Sequence, residues 1–240
     1  RTWHIPRARR TPPPARFTPL HLNQMSATIT STSAPAPRTH KKVLLIVEGN
    51  ISAGKSTLAR QLSQSLNYAL FLEPTVANPF LEKFYADPKK YALPMQLWLL
   101  KQRFVTYVNA LKFLVSDDQT GVDGVLLDRS IFSDIVFAEK NFVDGNFSRE
   151  GFDYYLALRR KLLHGLPAPH AVLYLDVTPE TCYDRIHNMR QRSCEGGIPL
   201  DYLAGLDSCY QSFLQRMDHT SKVMRLNWES FGDPDALAAS

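Results

Sequence analysis

The first 47 positions of this 240-residue chain contain no acidic residue, yet they hold Arg1, Arg7, Arg9, Arg10, Arg16, Arg38, Lys41 and Lys42. The whole-chain charge of +5 therefore comes from one end. Setting those eight aside from the 28 basic residues leaves 20 against 23 acidic ones, a remainder of about −3. Such mild acidity excludes the broad basic face of a nucleic-acid-binding protein. Cysteine is scarce as well. Cys182, Cys194 and Cys209 have no metal-ligand spacing and cannot all pair, which excludes a disulfide framework and argues against structural zinc. No apolar run approaches the roughly 18 residues that cross a bilayer, so no membrane partner is expected. Internal repeats are missing too.

With 44% hydrophobic and 11% aromatic side chains, the chain can still bury one sizeable core. Residues 1–40 stand outside it, being rich in Arg, Ser, Thr and Pro and without a sustained period. Their composition is that of an organelle transit peptide, mitochondrial or plastid. A disordered tail, or upstream sequence ahead of a true start at Met25, is the plainer alternative, with a cytoplasmic location. Residues 41–240 read as the folded domain. Short apolar runs alternate there with helical patterns, the signature of a parallel sheet with crossover helices. Strands are expected at 43–48, 69–73, 125–128, 171–176 and 222–227, and helices at 55–66, 78–86, 94–115, 130–140, 148–163, 179–191 and 199–217. A last helix after Trp228 is barely begun at Ser240, so the C-terminus reads as truncated.

Directly after the first strand, Gly49, Asn50, Ile51, Ser52, Ala53, Gly54, Lys55, Ser56 and Thr57 satisfy the pattern G-x-x-x-x-G-K-[ST]. In that setting consecutive backbone amides curl toward one point and the following helix adds its positive end. Lys55 reaches the outer phosphates and Ser56 offers a hydroxyl to magnesium. A nucleoside triphosphate is the expected ligand, a structural glycine turn the competing account. The base-reading N-K-x-D of switch GTPases is absent.

Further motifs follow in order: "EPTVANPF" after the second strand, "FYADPKKYALPMQLW", "LLDRSIFSD" after the third, "TPETCYDRI" after the fourth, and "RQRSCEGGIPLDYL". Together, from about Val43 to Met217, they resemble the deoxyribonucleoside kinase family, which includes deoxycytidine, deoxyguanosine and deoxyadenosine kinases and mitochondrial thymidine kinase. The resemblance implies a three-layer α/β P-loop NTPase fold. Its five-stranded parallel sheet has order 2-3-1-4-5 and is flanked by helices. It also implies ATP-dependent phosphorylation of a 2′-deoxynucleoside at its 5′-hydroxyl, with ATP and Mg²⁺ required, in nucleotide salvage.

Glu73 ends the second strand, where ligands gather in open α/β sheets. By resemblance it accepts the 5′-hydroxyl proton, although Thr75 stands where the family has valine. Asp128 would help hold magnesium with Ser56, and Arg129 would face the 5′-oxygen and the moving phosphoryl group. Arg190 and Arg192, with Arg185 as a further candidate, fall in a segment resembling the family's LID at about 185–197, which closes over ATP. Glu195 matches a LID glutamate at the sugar 3′-hydroxyl and Tyr85 a tyrosine at the same atom; Cys194 replaces an acidic neighbour. Gln96, Leu99 and Arg103 share one stripe of a largely apolar helix. Resemblance makes Gln96 a bidentate partner of the base and pairs Arg103 with Asp134, which favours deoxyadenosine, deoxyguanosine or deoxycytidine over thymidine. Phe137 is the candidate for stacking on the base.

Each of these has an ordinary counterpart: a capping glutamate, a structural Asp–Arg pair, a solvated basic helix end, a core tyrosine, a surface charge. Family members are homodimers packed through helices, and the helices at 94–115 and 148–163 are the candidate surface. A thymidine-preferring kinase, a thymidylate-kinase-like monophosphate kinase and a catalytically silent nucleotide-binding protein are the competing readings.

Overall fold

The computed structural model describes residues 42–73, 78–116, 121–190 and 196–239. Five parallel strands form the sheet: β1 (Val43–Gly49), β2 (Tyr68–Phe71), β3 (Gly124–Asp128), β4 (Ala171–Asp176) and β5 (Lys222–Asn227), in the order β2-β3-β1-β4-β5. β1 and β3 are buried almost throughout, whereas the edge strands β2 and β5 are half-buried or exposed. Helices on both faces of a parallel sheet account for the unbroken apolar runs of the central strands.

The helices are α1 (Lys55–Ser65), α2 (Leu81–Ala86), α3 (Pro88–Val115), α4 (Asp134–Val143), α5 (Arg149–Leu163), α6 (Pro179–Arg185), α7 (Leu200–Met217) and α8 (Pro234–Ala238), with a π-helical turn at Ile186–Arg190. Several boundaries differ from the sequence reading, and four of them bear on the site. β2 stops at Phe71, so Glu73 lies two residues past the strand, and α4 starts at Asp134 instead of 130. The helix expected over 179–191 gives way to the π turn after Arg185.

The fourth difference is the largest. α3 begins six residues earlier than expected and runs through Pro94. Proline at 94 suggested a first helical position, where its missing N–H is harmless. Pro88 takes that role instead, with the Asp87 side chain accepting from the Lys90 amide at 3.3 Å. The bond lost at Pro94 is offset by burial of Met95, Leu99, Leu100, Tyr107 and Ala110. The helix that carries Gln96 and Arg103 is thereby continuous over 28 residues. No helix among the described residues is long and apolar enough to cross a membrane.

Candidate active site

β1 delivers the chain into the glycine loop with Gly49 at φ 148° and Gly54 at φ 103°. A Cβ on Gly54 would sit 3.2 Å from the Phe231 ring and 3.3 Å from the Trp228 indole nitrogen, so only glycine fits there without strain. The Asn50 side chain shapes the turn, accepting from the Ile51 amide at 2.8 Å and donating to the Leu203 carbonyl at 2.9 Å. Lys55, buried in the same loop, donates to the Asn50 carbonyl at 2.5 Å. Gly54 is the N-cap of α1, no side chain caps that end, and its first turn holds no acid. Unsatisfied amides at a positive helix end form an anion site. They open onto a cleft of about 290 Å³ that Ser52, Gly54, Lys55, Ser56 and Thr57 line from one side.

Opposite the loop stands the end of β3. Ser56 donates its hydroxyl to Oδ2 of Asp128, while Oδ1 is buried without a hydrogen-bond partner. A hard cation would satisfy that oxygen. No cluster of three or more His, Cys, Asp or Glu side chains exists among the described residues. That donor set suits Mg²⁺, which takes one carboxylate, a hydroxyl, water and phosphate oxygens.

Arg129 follows Asp128 and is held at φ 64°, uncommon for a residue with a Cβ. The kink turns its guanidinium inward, where Nε lies 3.2 Å from Oε2 of Glu73 and one terminal nitrogen donates to the Tyr210 hydroxyl. Glu73 also accepts from Arg103, at 3.1 Å from Nε and again from a terminal nitrogen. Burial would raise the Glu73 pKa, but Arg103 and Arg129 together outweigh it and lower the value to about 2. The carboxylate is therefore ionised throughout the physiological range.

The other end of Arg103 donates to Oδ1 of Asp134 at 2.6 Å. Asp134, fully buried, also accepts from the Gln96 amide nitrogen at 2.8 Å and the Tyr155 hydroxyl at 2.7 Å. The carbonyl oxygen of Gln96 is buried without a partner. Phe137 turns its face to both guanidinium groups, 5.2 Å from Arg103 and 4.7 Å from Arg129. Its ring, Tyr85, Met95 and Leu99 line a second cavity, of about 80 Å³. A larger one of about 380 Å³ adjoins it across Phe84, Tyr85 and Tyr202. Glu73 and Arg129 line both the 290 Å³ cleft and the 80 Å³ cavity, so the two meet at one carboxylate and one guanidinium.

Glu73, Arg129, Lys55, Ser56, Asp128, Arg103, Phe137 and Tyr85 thus line the two cavities that meet at the carboxyl ends of the strands, whereas Gln96 and Asp134 line neither and are fully buried, Asp134 against Arg103. Arg192 and Glu195 lie outside the described residues, as do Thr75 and Cys194, and Arg190 is described only as backbone of the π turn. Arg185 lines the cleft of the glycine loop and also has a structural task. It is buried, and its guanidinium is spent on the carbonyls of Ala53 (3.1 Å), Trp228 (2.8 Å) and Glu229 (3.0 Å). It braces the glycine loop against the segment after β5.

Several groups escaped the sequence reading. Glu48, fully buried at the end of β1, accepts from Ser130 at 3.2 Å and leaves Oε2 without a partner. Burial, set against Arg129 and weaker polar neighbours, raises its pKa to about 7. A carboxylate closing an otherwise apolar buried run was the available signal. Tyr155 and Tyr210 carried none, because each meets its partner only across the packed helices.

A family model described as deoxynucleoside kinase matches residues 45–235 of this chain. Deoxyguanosine kinase of Dictyostelium discoideum is 50% identical over 191 residues, covering 79% of this chain and 65% of that protein. The mitochondrial NADH dehydrogenase [ubiquinone] 1 alpha subcomplex subunit 10 of Bos taurus is 31% identical over 227 residues, covering 85% of this chain and 65% of that one. The chain therefore spans slightly less than two thirds of either relative. Among solved structures, deoxyadenosine kinase from M. mycoides with bound dCTP superposes with a TM-score of 0.70 at 26% identity, covering 81% of this chain and 96% of that one.

Proposed function

The chain belongs to the deoxynucleoside kinase family, and we propose that it transfers the γ-phosphoryl group of ATP to the 5′-hydroxyl of a 2′-deoxynucleoside. The observation that carries this reading is the meeting of the phosphate cleft and the largely apolar cavity at Glu73 and Arg129. An alcohol oxygen placed there has a carboxylate to accept its proton and a guanidinium beside the phosphoryl group it attacks.

Glu73 is a weak base, its pKa being about 2. That suits a loose transition state, in which the attacking oxygen becomes acidic only as the new bond forms. Until then the carboxylate orients the hydroxyl in line with the donor. Arg129, fixed by Tyr210 and Glu73, stabilises the charge that spreads over the moving phosphoryl oxygens. Lys55 and the loop amides hold the donor phosphates. Asp128 and Ser56 would hold Mg²⁺, which when bound neutralises charge on those phosphates. Arg190 and Arg192 close over the donor, Tyr85 and Glu195 take the 3′-hydroxyl, and Phe137 flanks the base.

The Arg103–Asp134 pair, with the unpartnered Gln96 carbonyl, offers donors and an acceptor to a base edge and favours deoxyadenosine, deoxyguanosine or deoxycytidine. The names of the Dictyostelium and mycoplasma proteins fall in the same group. A phosphorylated acceptor would need a free cationic clamp, whereas Arg103 and Arg129 are already matched by Glu73 and Asp134. Two copies pack through α3 and α5, and residues 1–40 direct the protein to mitochondria, in keeping with their acid-free composition and the mitochondrial bovine relative.

The likeness to the bovine NADH dehydrogenase subunit favours one other reading, a nucleotide-binding protein without turnover. Assaying the four natural deoxynucleosides with Mg-ATP separates them. The kinase reading expects 5′-monophosphates, with thymidine the poorest substrate. ATP binding without any product supports the silent protein, and thymidine equal to the best of the others contradicts the base assignment.

A further inference from the structure

Arg103 serves two carboxylates at once. One terminal nitrogen donates to Oδ1 of Asp134 at 2.6 Å, while Nε (3.1 Å) and the other terminal nitrogen both donate to Oε1 of Glu73. Asp134 cannot follow the guanidinium if it moves, because Gln96 and Tyr155 hold its second oxygen and the residue is fully buried at the start of α4. Glu73 belongs to no helix or strand. Its Oε1 already accepts two charged donors, about all a carboxylate oxygen takes. Oε2 is engaged by Arg129. An incoming 5′-hydroxyl thus competes with Arg103 for Oε1, or must share Oε2 with Arg129.

We propose that Arg103 couples recognition of the base to readiness of Glu73: a base whose ring nitrogen accepts from Arg103 draws the guanidinium off Oε1 and frees that oxygen for the 5′-hydroxyl. The inference rests on the deoxynucleoside kinase reading above. It makes Arg103 a positioning residue as well as a contact to the base. With the base pocket empty, Oε1 of Glu73 stays filled by Arg103. Discrimination among bases then enters kcat as well as KM, because a base that leaves Arg103 in place leaves its own 5′-hydroxyl only the oxygen that Arg129 already engages.

The test uses the intact enzyme with its preferred natural deoxynucleoside and the deaza analogues of that nucleoside, each with one ring nitrogen replaced by C–H. Loss of the nitrogen that Arg103 reaches lowers kcat at saturating nucleoside by about tenfold or more. A rise in KM with unchanged kcat for every analogue is uniform binding and overturns the proposal. A second measurement is calorimetric binding of the nucleoside to Glu73→Gln, its fold checked by retained ATP binding. Affinity tightens severalfold, since Arg103 no longer has a carboxylate to leave, and unchanged or weaker affinity overturns the proposal. Should the wild-type protein phosphorylate no deoxynucleoside, the proposed function falls and the coupling with it; turnover with effects on KM alone sinks the coupling only.

Discussion

Ser56 and Asp128 are joined through one carboxylate oxygen, the hydroxyl donating to Oδ2 while Oδ1 lies buried and unpartnered. A buried acceptor left alone costs about 1–3 kcal/mol, so the arrangement makes sense as a cation site. Asp128→Asn should keep ATP binding and lower turnover by about 100-fold or more, with a higher magnesium requirement. Titrating activity with MgCl₂ at saturating ATP checks it; an unchanged magnesium midpoint would remove Asp128 from the metal site.

Glu48 gives the protein a stability that depends on pH. Its folded pKa is about 7 against an ordinary 4.5, so the folded state holds a proton that the unfolded chain releases over that interval. The contribution is complete below about pH 4.5 and is lost as pH rises through about 7. Its size is on the order of 3 kcal/mol for this fully buried group. Glu73 acts in the opposite sense, its stabilisation being present above about 4.5 and lost as pH falls toward 2. Urea denaturation at pH 5 and pH 8 should show wild type losing stability relative to Glu48→Gln. Parallel behaviour of the two proteins would mean that Glu48 titrates normally.

Arg185→Met would leave the carbonyls of Ala53, Trp228 and Glu229 short of a donor. The expected loss is about 2–4 kcal/mol of stability, together with a higher KM for ATP, because the glycine loop loses its brace. Thermal unfolding with and without ATP measures both. Intact stability alongside a large fall in kcat would instead place Arg185 on the phosphates.

Gly54→Ala meets φ 103° and the rings of Phe231 and Trp228 at once. Roughly 1–3 kcal/mol of strain falls on the glycine loop proposed to hold phosphate. ATP affinity, read by calorimetry, should drop at least tenfold while the circular dichroism spectrum is kept.

The sequence announced the parts of this molecule that depend on local pattern. All five strands, the glycine loop and the stripe of Gln96 and Arg103 follow from runs, spacing and period. Pro94 misled because a local rule for proline yields when a long helix buries enough apolar surface elsewhere. The bracing role of Arg185 was not legible because its three carbonyl partners lie 43, 44 and 132 residues away in sequence. The sharing of Arg103 between Glu73 and Asp134 is likewise a matter of distance across the fold, 30 residues to one side and 31 to the other.

The most direct measurement is steady-state turnover of Glu73→Gln with Mg-ATP and the preferred deoxynucleoside, beside its affinity for ATP. A carboxylate that takes the 5′-hydroxyl proton predicts unchanged ATP affinity and a fall in kcat of about 100-fold to 10,000-fold. Turnover within a few-fold of wild type, or activity only on an acceptor that already carries a phosphate, would contradict it.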